Sequence, residues 1–157
     1  MRRIVTAILL VMLVSLTGCI AKEEETVCAF TYNGIRMVPG EEAEPVLTAL
    51  GEPKSYTEEP SCAFEGLDKT YGYDGFYLAT FPEEKKEYIR SIWFADSTVY
   101  TEEGISLGSG EEQVKKVYSR NNADATRTYT LIRGGTKLTI ALEEGVVRSV
   151  RYDAVLE

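Results

Sequence analysis

Apolar and polar residues alternate most regularly near the C-terminus. Lys137 to Leu142 and Val146 to Tyr152 alternate with a period of two, which is typical of half-buried strands. Gly134-Gly135 and Glu144-Gly145 lie just before these segments and favour the tight turns of β-hairpins. We therefore predict an antiparallel strand meander at the end of the chain.

Two earlier segments have the spacing of short amphipathic helices. In the first, Pro45 lies in the first turn, where its missing N–H costs little, and Gly51 stands where a left-handed residue caps a helix. In the second, Glu111 and Glu112 stand at the start, where they favour the helix dipole. The residues predicted to face inward are Val46, Leu47 and Leu50 in the first helix and Val114, Val117 and Tyr118 in the second.

Three blocks of sequence occur twice in the same order, which indicates an internal repeat. The paired blocks are residues 33–42 and 103–112, residues 77–81 and 138–142, and residues 89–94 and 147–152. We predict a single compact domain, residues 28–157, made of two tandem repeats at about 31–97 and 101–154. The predicted fold class is α+β, each repeat being a helix plus an antiparallel strand meander, with the helices on one face of the sheet.

The repeat also predicts which way strand side chains point. Ile92 and Phe94 match Val150 and Tyr152, so they are expected to face the helices, whereas Trp93 matches Arg151 and is expected to face solvent. The same alignment turns Tyr77, Ala79 and Phe81 inward and Ser91 and Phe76 outward.

Exposed aromatic residues are common anchors of protein interfaces. Residues 62–77 are rich in aromatic side chains and end where the repeated block of residues 77–81 begins. The candidate partner-binding residues are Tyr71, Tyr73, Phe76 and Trp93. The alternative is that these side chains fill the junction between the repeats.

The duplicated pattern of Gly-x-x-x-(Glu)-x-Val helix starts and strand meanders covers Thr31 to Ala154. This pattern resembles the tandem-repeat fold of the secreted β-lactamase inhibitory proteins. It is also similar to the small outer-membrane-assembly lipoproteins, which carry a single such unit. The resemblance implies a fold, and by analogy an inhibitor-like role, but it transfers no binding residues because no motif is specific to either family.

The first residues have the pattern of an export signal. Two arginines precede an apolar stretch, Ile4 to Val14, which is shorter than the ~20 residues that span a bilayer as a helix. Leu16-Thr17-Gly18-Cys19 then resembles the lipobox of bacterial lipoproteins. The resemblance implies a cleaved signal peptide, residues 1–18, and a lipid anchor on Cys19, followed by a tether, residues 19–27. The alternatives are an ordinary signal peptide and an uncleaved anchor.

Charge and cysteine content narrow the possible partners. Removal of residues 1–18 leaves 15 Lys and Arg against 25 Asp and Glu, a net charge of −10, which argues against nucleic acid as a partner. Cys28 and Cys62 remain once Cys19 carries lipid, and outside the cytoplasm they can form a disulfide. The alternative is two free thiols. No metal or cofactor is expected, since the chain has no histidine and the two cysteines lack ligand spacing.

Catalytic motifs are sparse. The absence of histidine excludes Ser-His and Cys-His arrangements. We therefore expect a non-enzymatic, monomeric lipoprotein on the extracytoplasmic side of a cell membrane, which binds an exported or envelope protein. The alternatives are a hydrolase of cell-wall glycans that uses paired carboxylates, and a structural lipoprotein that maintains the envelope.

Overall fold

The computed structural model describes residues 27–118 and 127–156. The predicted signal peptide, the lipidation site at Cys19 and the tether before Val27 lie outside these residues. The described residues form, in chain order, β1 (Phe30–Tyr32), β2 (Ile35–Met37), α1 (Ala43–Leu50), β3 (Ser55–Pro60), β4 (Leu67–Tyr73), β5 (Phe76–Glu83), β6 (Lys86–Phe94), α2 (Glu111–Tyr118), β7 (Thr128–Arg133), β8 (Thr136–Glu143) and β9 (Val146–Ala154).

Seven of these strands form one antiparallel sheet in the order β3-β4-β5-β6-β9-β8-β7, and β1 pairs with β2 in a separate hairpin. The meander β3 to β6 joins the meander β7 to β9 where β6 pairs with β9, with Ile92 opposite Tyr152. The chain therefore builds a continuous sheet from two segments that are distant in sequence.

The prediction of an α+β fold with two helix-plus-meander repeats is wrong. Half of the described residues lie in strands and 13% in two short helices. The segments share one sheet and one hydrophobic core, in which Phe94 of β6 contacts Tyr152 of β9 with ring centroids 6.3 Å apart. Pairing β6 with β9 buries the apolar faces of both segments in one core, and the fraction of surface buried rises with the size of the folded unit.

One face of the sheet carries the core. Phe30 of β1 lies 5.1 Å from the rings of both Phe76 and Phe94, and Val46 of α1 and Val114 of α2 are buried in the same cluster. Both helices and the β1–β2 hairpin therefore cover this face, which we call the core face. The opposite face, on which Tyr77, Trp93 and Arg151 lie, carries neither of the two helices described, and we call it the open face.

Several local predictions are confirmed. The strands β8 and β9 occupy the two alternating segments, and Gly51 follows the last residue of α1. Gly51 has a positive φ of 75° as expected, but its ψ of −157° is not that of the left-handed helical conformation. Val46, Val114 and Tyr118 are buried, and Leu47 and Leu50 pack partly buried against the core. Val117, however, is exposed, because α2 contacts the sheet through a narrower apolar stripe than predicted.

The predicted faces are correct for β6 and wrong for β5, although Ser91 of β6 is buried and not exposed to solvent as expected. Ile92 and Phe94 are buried and Trp93 lies on the opposite face, as expected. In β5, Phe76 and Leu78 are fully buried, whereas Tyr77 is 37% exposed. The alignment of the two copies is displaced by one residue in this strand, and a one-residue shift moves every side chain to the other face.

The expected disulfide between Cys28 and Cys62 is absent, and both thiols are free. Cys28 is buried beside β7, where its thiol lies 3.5 Å from the carbonyl oxygen of Leu131. Cys62 is exposed between β3 and β4, which form the opposite edge of the sheet. Adjacent strands are about 4.8 Å apart, so most of the width of the sheet separates the two cysteines.

Candidate functional site

The four predicted partner-binding residues do not form one surface. Phe76 lies in the core, and Tyr73 stacks on it with ring centroids 5.3 Å apart. Tyr71 pairs across the strands with the buried Leu78 and therefore points to the core face. Of the four, only Trp93 lies on the open face, so the structure does not bring them together on one surface.

Trp93 is the centre of a different arrangement, which is built by cross-strand pairing. Tyr77 of β5 and Arg151 of β9 lie directly opposite Trp93 on its two sides. The rings of Tyr77 and Trp93 are stacked, with centroids 5.4 Å apart and planes inclined at 22°. The guanidinium carbon of Arg151 lies 5.4 Å from the centroid of Trp93. We call these three residues the Tyr77–Trp93–Arg151 stack.

Hydrogen bonds hold Arg151 in place. Its Nε donates to Asp153 at 2.6 Å, and its Nη2 donates to the hydroxyl oxygen of Ser91 at 2.9 Å. Ser91 is almost completely buried and lies opposite Asp153 across β6 and β9. The guanidinium therefore loses little further rotamer entropy when a partner contacts it.

Gly72 leaves room for the ring of Tyr77. A Cβ atom at residue 72 would lie 2.9 Å from Cε1 of Tyr77 and 2.2 Å from the hydroxyl oxygen of Ser55. Gly72 pairs directly with Tyr77, so the Tyr77 ring lies beside backbone where any other residue would place a side chain. The alternation of side chains along β5 is the sequence signal that could have revealed this arrangement. The alignment of the two repeats is shifted by one residue in β5 and therefore assigns Tyr77 to the wrong face.

Small residues flank the stack in its cross-strand row on the open face, and a cavity of about 200 Å³ lined by Thr57, Thr70 and Ala79 lies beside that row. The row through Trp93 continues to Thr139 and Thr130 on one side and to Gly72 and Ser55 on the other. Because Tyr77 and Arg151 cover the two faces of Trp93, its ring edges are what a partner meets. Such a surface is suited to an extended contact with another protein more than to a sugar, which would stack on an uncovered ring face.

Two carboxylates, those of Glu87 and Asp96, accept hydrogen bonds that lower their pKa values. Glu87 accepts hydrogen bonds from Lys69 at 2.7 Å, Tyr71 at 2.8 Å and Thr80 at 2.5 Å. Burial alone raises the pKa of Glu87, but these hydrogen bonds and the charge of Lys69 together lower the pKa below its ordinary value of 4.5. A hydrogen bond from Thr98 likewise lowers the pKa of Asp96. A general acid of a glycosidase needs a raised pKa, so neither group fits that role.

Residues 27–118 and 127–156 contain no group of three or more Asp, Glu, Cys or His side chains that could hold a metal ion. Neither of the two helices described is long and apolar enough to cross a membrane.

Comparisons with known proteins give distant structural similarity. No family model and no curated protein matches the chain. One similar solved structure is a cysteine-rich secretory protein from Staphylococcus aureus, with 11% identity and a TM-score of 0.49 over 74% of this chain and 43% of that one. Another is an extracellular protein containing an SCP domain from Bacillus anthracis, with 18% identity and a TM-score of 0.44 over 86% of this chain and 50% of that one. The chain thus spans half the length of these extracellular proteins or less.

Proposed function

We propose that this chain is a lipid-anchored extracytoplasmic lipoprotein that binds a protein partner through its open face. The Tyr77–Trp93–Arg151 stack is the observation that carries the binding role. Tyr, Trp and Arg are the residue types most enriched among those that dominate interface energies. Here they lie side by side at the centre of a sheet face that neither α1 nor α2 covers.

The geometry supports a protein partner in two ways. The stack is ordered before binding, because stacking and the hydrogen bonds to Asp153 and Ser91 hold its members. Small residues such as Thr139 and Gly72 flank it and allow another backbone to approach closely. Pre-ordering reduces the entropy lost on association and therefore favours affinity.

The lipid anchor is inferred from the lipobox Leu16-Thr17-Gly18-Cys19. Such an anchor would hold the binding site close to a membrane surface. Two acyl chains on Cys19 are sufficient for stable anchoring. We expect Cys19→Ser to move the full chain from the membrane fraction to the soluble fraction, measured by fractionation and by incorporation of labelled fatty acid. Retention of the label in the Cys19→Ser variant would refute the assignment.

Photo-crosslinking in the producing cell tests the open face directly. A photoreactive residue replaces Thr139, which lies beside Arg151, and in a control chain it replaces Val117, which is exposed on α2. We expect a protein adduct from position 139 and none of the same mass from position 117. Trp93→Ala should weaken that adduct by about 30-fold, which corresponds to the ~2 kcal/mol of a central interface residue.

A matched surface variant shows whether the effect belongs to the stack. Tyr100 is 56% exposed and takes no part in it, so Tyr100→Ala should leave the adduct unchanged. An adduct that survives Trp93→Ala, or one that forms equally from position 117, would mean that the open face is not the binding surface.

A further inference from the structure

A groove on the core side of the sheet forms a second surface, remote from the Tyr77–Trp93–Arg151 stack. It has a volume of about 950 Å³ and lies between α1 and the ends of β4, β5 and β6. Leu47 and Thr48 of α1 line one wall. Leu67 and Pro82 of the sheet, together with Phe64, supply most of the apolar lining. We call this cavity the α1 groove.

The base of the α1 groove is charged but internally paired. Lys69 and Glu87 line it and form an ion pair at 2.7 Å, and Tyr71 and Thr80 satisfy the other oxygen of Glu87. Lys86 at the rim is paired with Glu42 at 2.8 Å. Because their partners hold these groups, the base and this part of the rim are ordered in the absence of a ligand.

The remaining rim charges are strongly acidic. Four exposed rim carboxylates make no ion pair with any described residue: those of Glu44, Glu65, Glu83 and Glu84. A single rim amine, that of Lys85, likewise makes no ion pair with a described residue. Unpaired acids around an apolar wall are complementary to a ligand that has apolar side chains flanked by positive charges.

We propose that the α1 groove binds a basic, amphipathic peptide segment, with its apolar side chains against Leu67, Phe64 and Pro82 and its Lys or Arg side chains at the acidic rim. The groove lies at the α1 end of the sheet and contains no member of the Tyr77–Trp93–Arg151 stack. The proposal therefore stands or fails independently of the proposed function.

Fluorescence anisotropy with the full chain tests this site. The probe is a labelled peptide of alternating lysine and leucine, compared with a lysine–serine peptide and a glutamate–leucine peptide. We expect the lysine–leucine peptide to bind more tightly than both. The triple variant Glu44→Gln, Glu65→Gln and Glu83→Gln should weaken its binding about tenfold, since each exposed charge pair contributes modestly.

A matched triple variant separates the site from the general acidity of the chain. Glu52, Glu102 and Glu143 are exposed acids outside the groove, and their change to Gln alters the net charge by the same amount. We expect that variant, and Trp93→Ala, to bind the peptide as the unchanged chain does. Equal weakening by the two triple variants, or equal binding of the lysine–serine peptide, would overturn the proposal. Cooperative thermal unfolding of both triple variants verifies that they are folded.

Discussion

Phe76 lies directly opposite Phe94 across β5 and β6, and both rings are buried beneath Phe30. This pairing decides the orientation of the whole first part of β5. It places Phe76 in the core and its neighbour Tyr77 on the open face.

Phe76→Ala should therefore destabilise the fold strongly. Loss of a fully buried phenylalanine removes its transfer free energy and leaves a cavity, at a cost of about 3–5 kcal/mol. Tyr77→Ala in the same strand should cost about 1 kcal/mol, mainly from the lost stacking on Trp93. Urea denaturation of the two variants makes the comparison, and similar losses of stability would show that the assigned parity of β5 is wrong.

Gly72→Ala should disturb the Tyr77–Trp93–Arg151 stack. The new methyl group collides with the ring of Tyr77 and with Ser55, and overpacking of this kind costs about 1–3 kcal/mol. Trp93 is the single tryptophan of the chain, so its fluorescence reports the change directly. Gly110→Ala is the control, since a Cβ there meets no atom within 4 Å. An unchanged Trp93 emission spectrum in Gly72→Ala would contradict the contact.

Glu87 should make stability depend on pH in the acid range. Its pKa is lower in the folded chain than the ordinary 4.5, so its contribution is fully present above that value and is lost as the pH falls through the folded pKa. Glu87→Gln should cost about 1–3 kcal/mol at pH 7, because three donors lose a charged acceptor. The difference from the unchanged chain should shrink as the pH is lowered below 4.5.

Glu143→Gln controls for the general effect of removing a carboxylate, because Glu143 is exposed and makes no ion pair with any described residue. Denaturation midpoints measured in urea across the acid range give both curves. A penalty for Glu87→Gln that is constant with pH would mean that ionisation of Glu87 does not contribute to folding stability.

The two cysteines of the folded part should react at different rates. Cys62 is exposed and Cys28 is 5% exposed, so a thiol reagent should modify Cys62 rapidly and Cys28 only after unfolding. Mass spectrometry of the native chain after brief alkylation should show modification at Cys62, and Cys62→Ser should abolish it. An unreactive Cys62 that becomes reactive on reduction would instead indicate a disulfide.

Features that depend on residues close together in the sequence could be predicted, whereas features that depend on residues far apart in the chain could not. The strands β8 and β9, their turn at Glu144-Gly145 and the helix end at Gly51 were predicted correctly. Each depends on residues only a few positions apart, through side-chain periodicity or the freedom of glycine at positive φ. The N-terminal lipobox is likewise a local pattern, and its function stays a prediction.

Only the tertiary structure decided which residues meet. Pairing of β6 with β9 replaced two expected repeats by one sheet, and the one-residue displacement in β5 exchanged Phe76 for Tyr77 on the open face. The same pairing placed Arg151 beside Trp93, although 58 positions separate them in the chain. Strand register and partner choice depend on how distant apolar faces pack together, and a one-residue shift reverses every side chain, so the local pattern alone does not determine them.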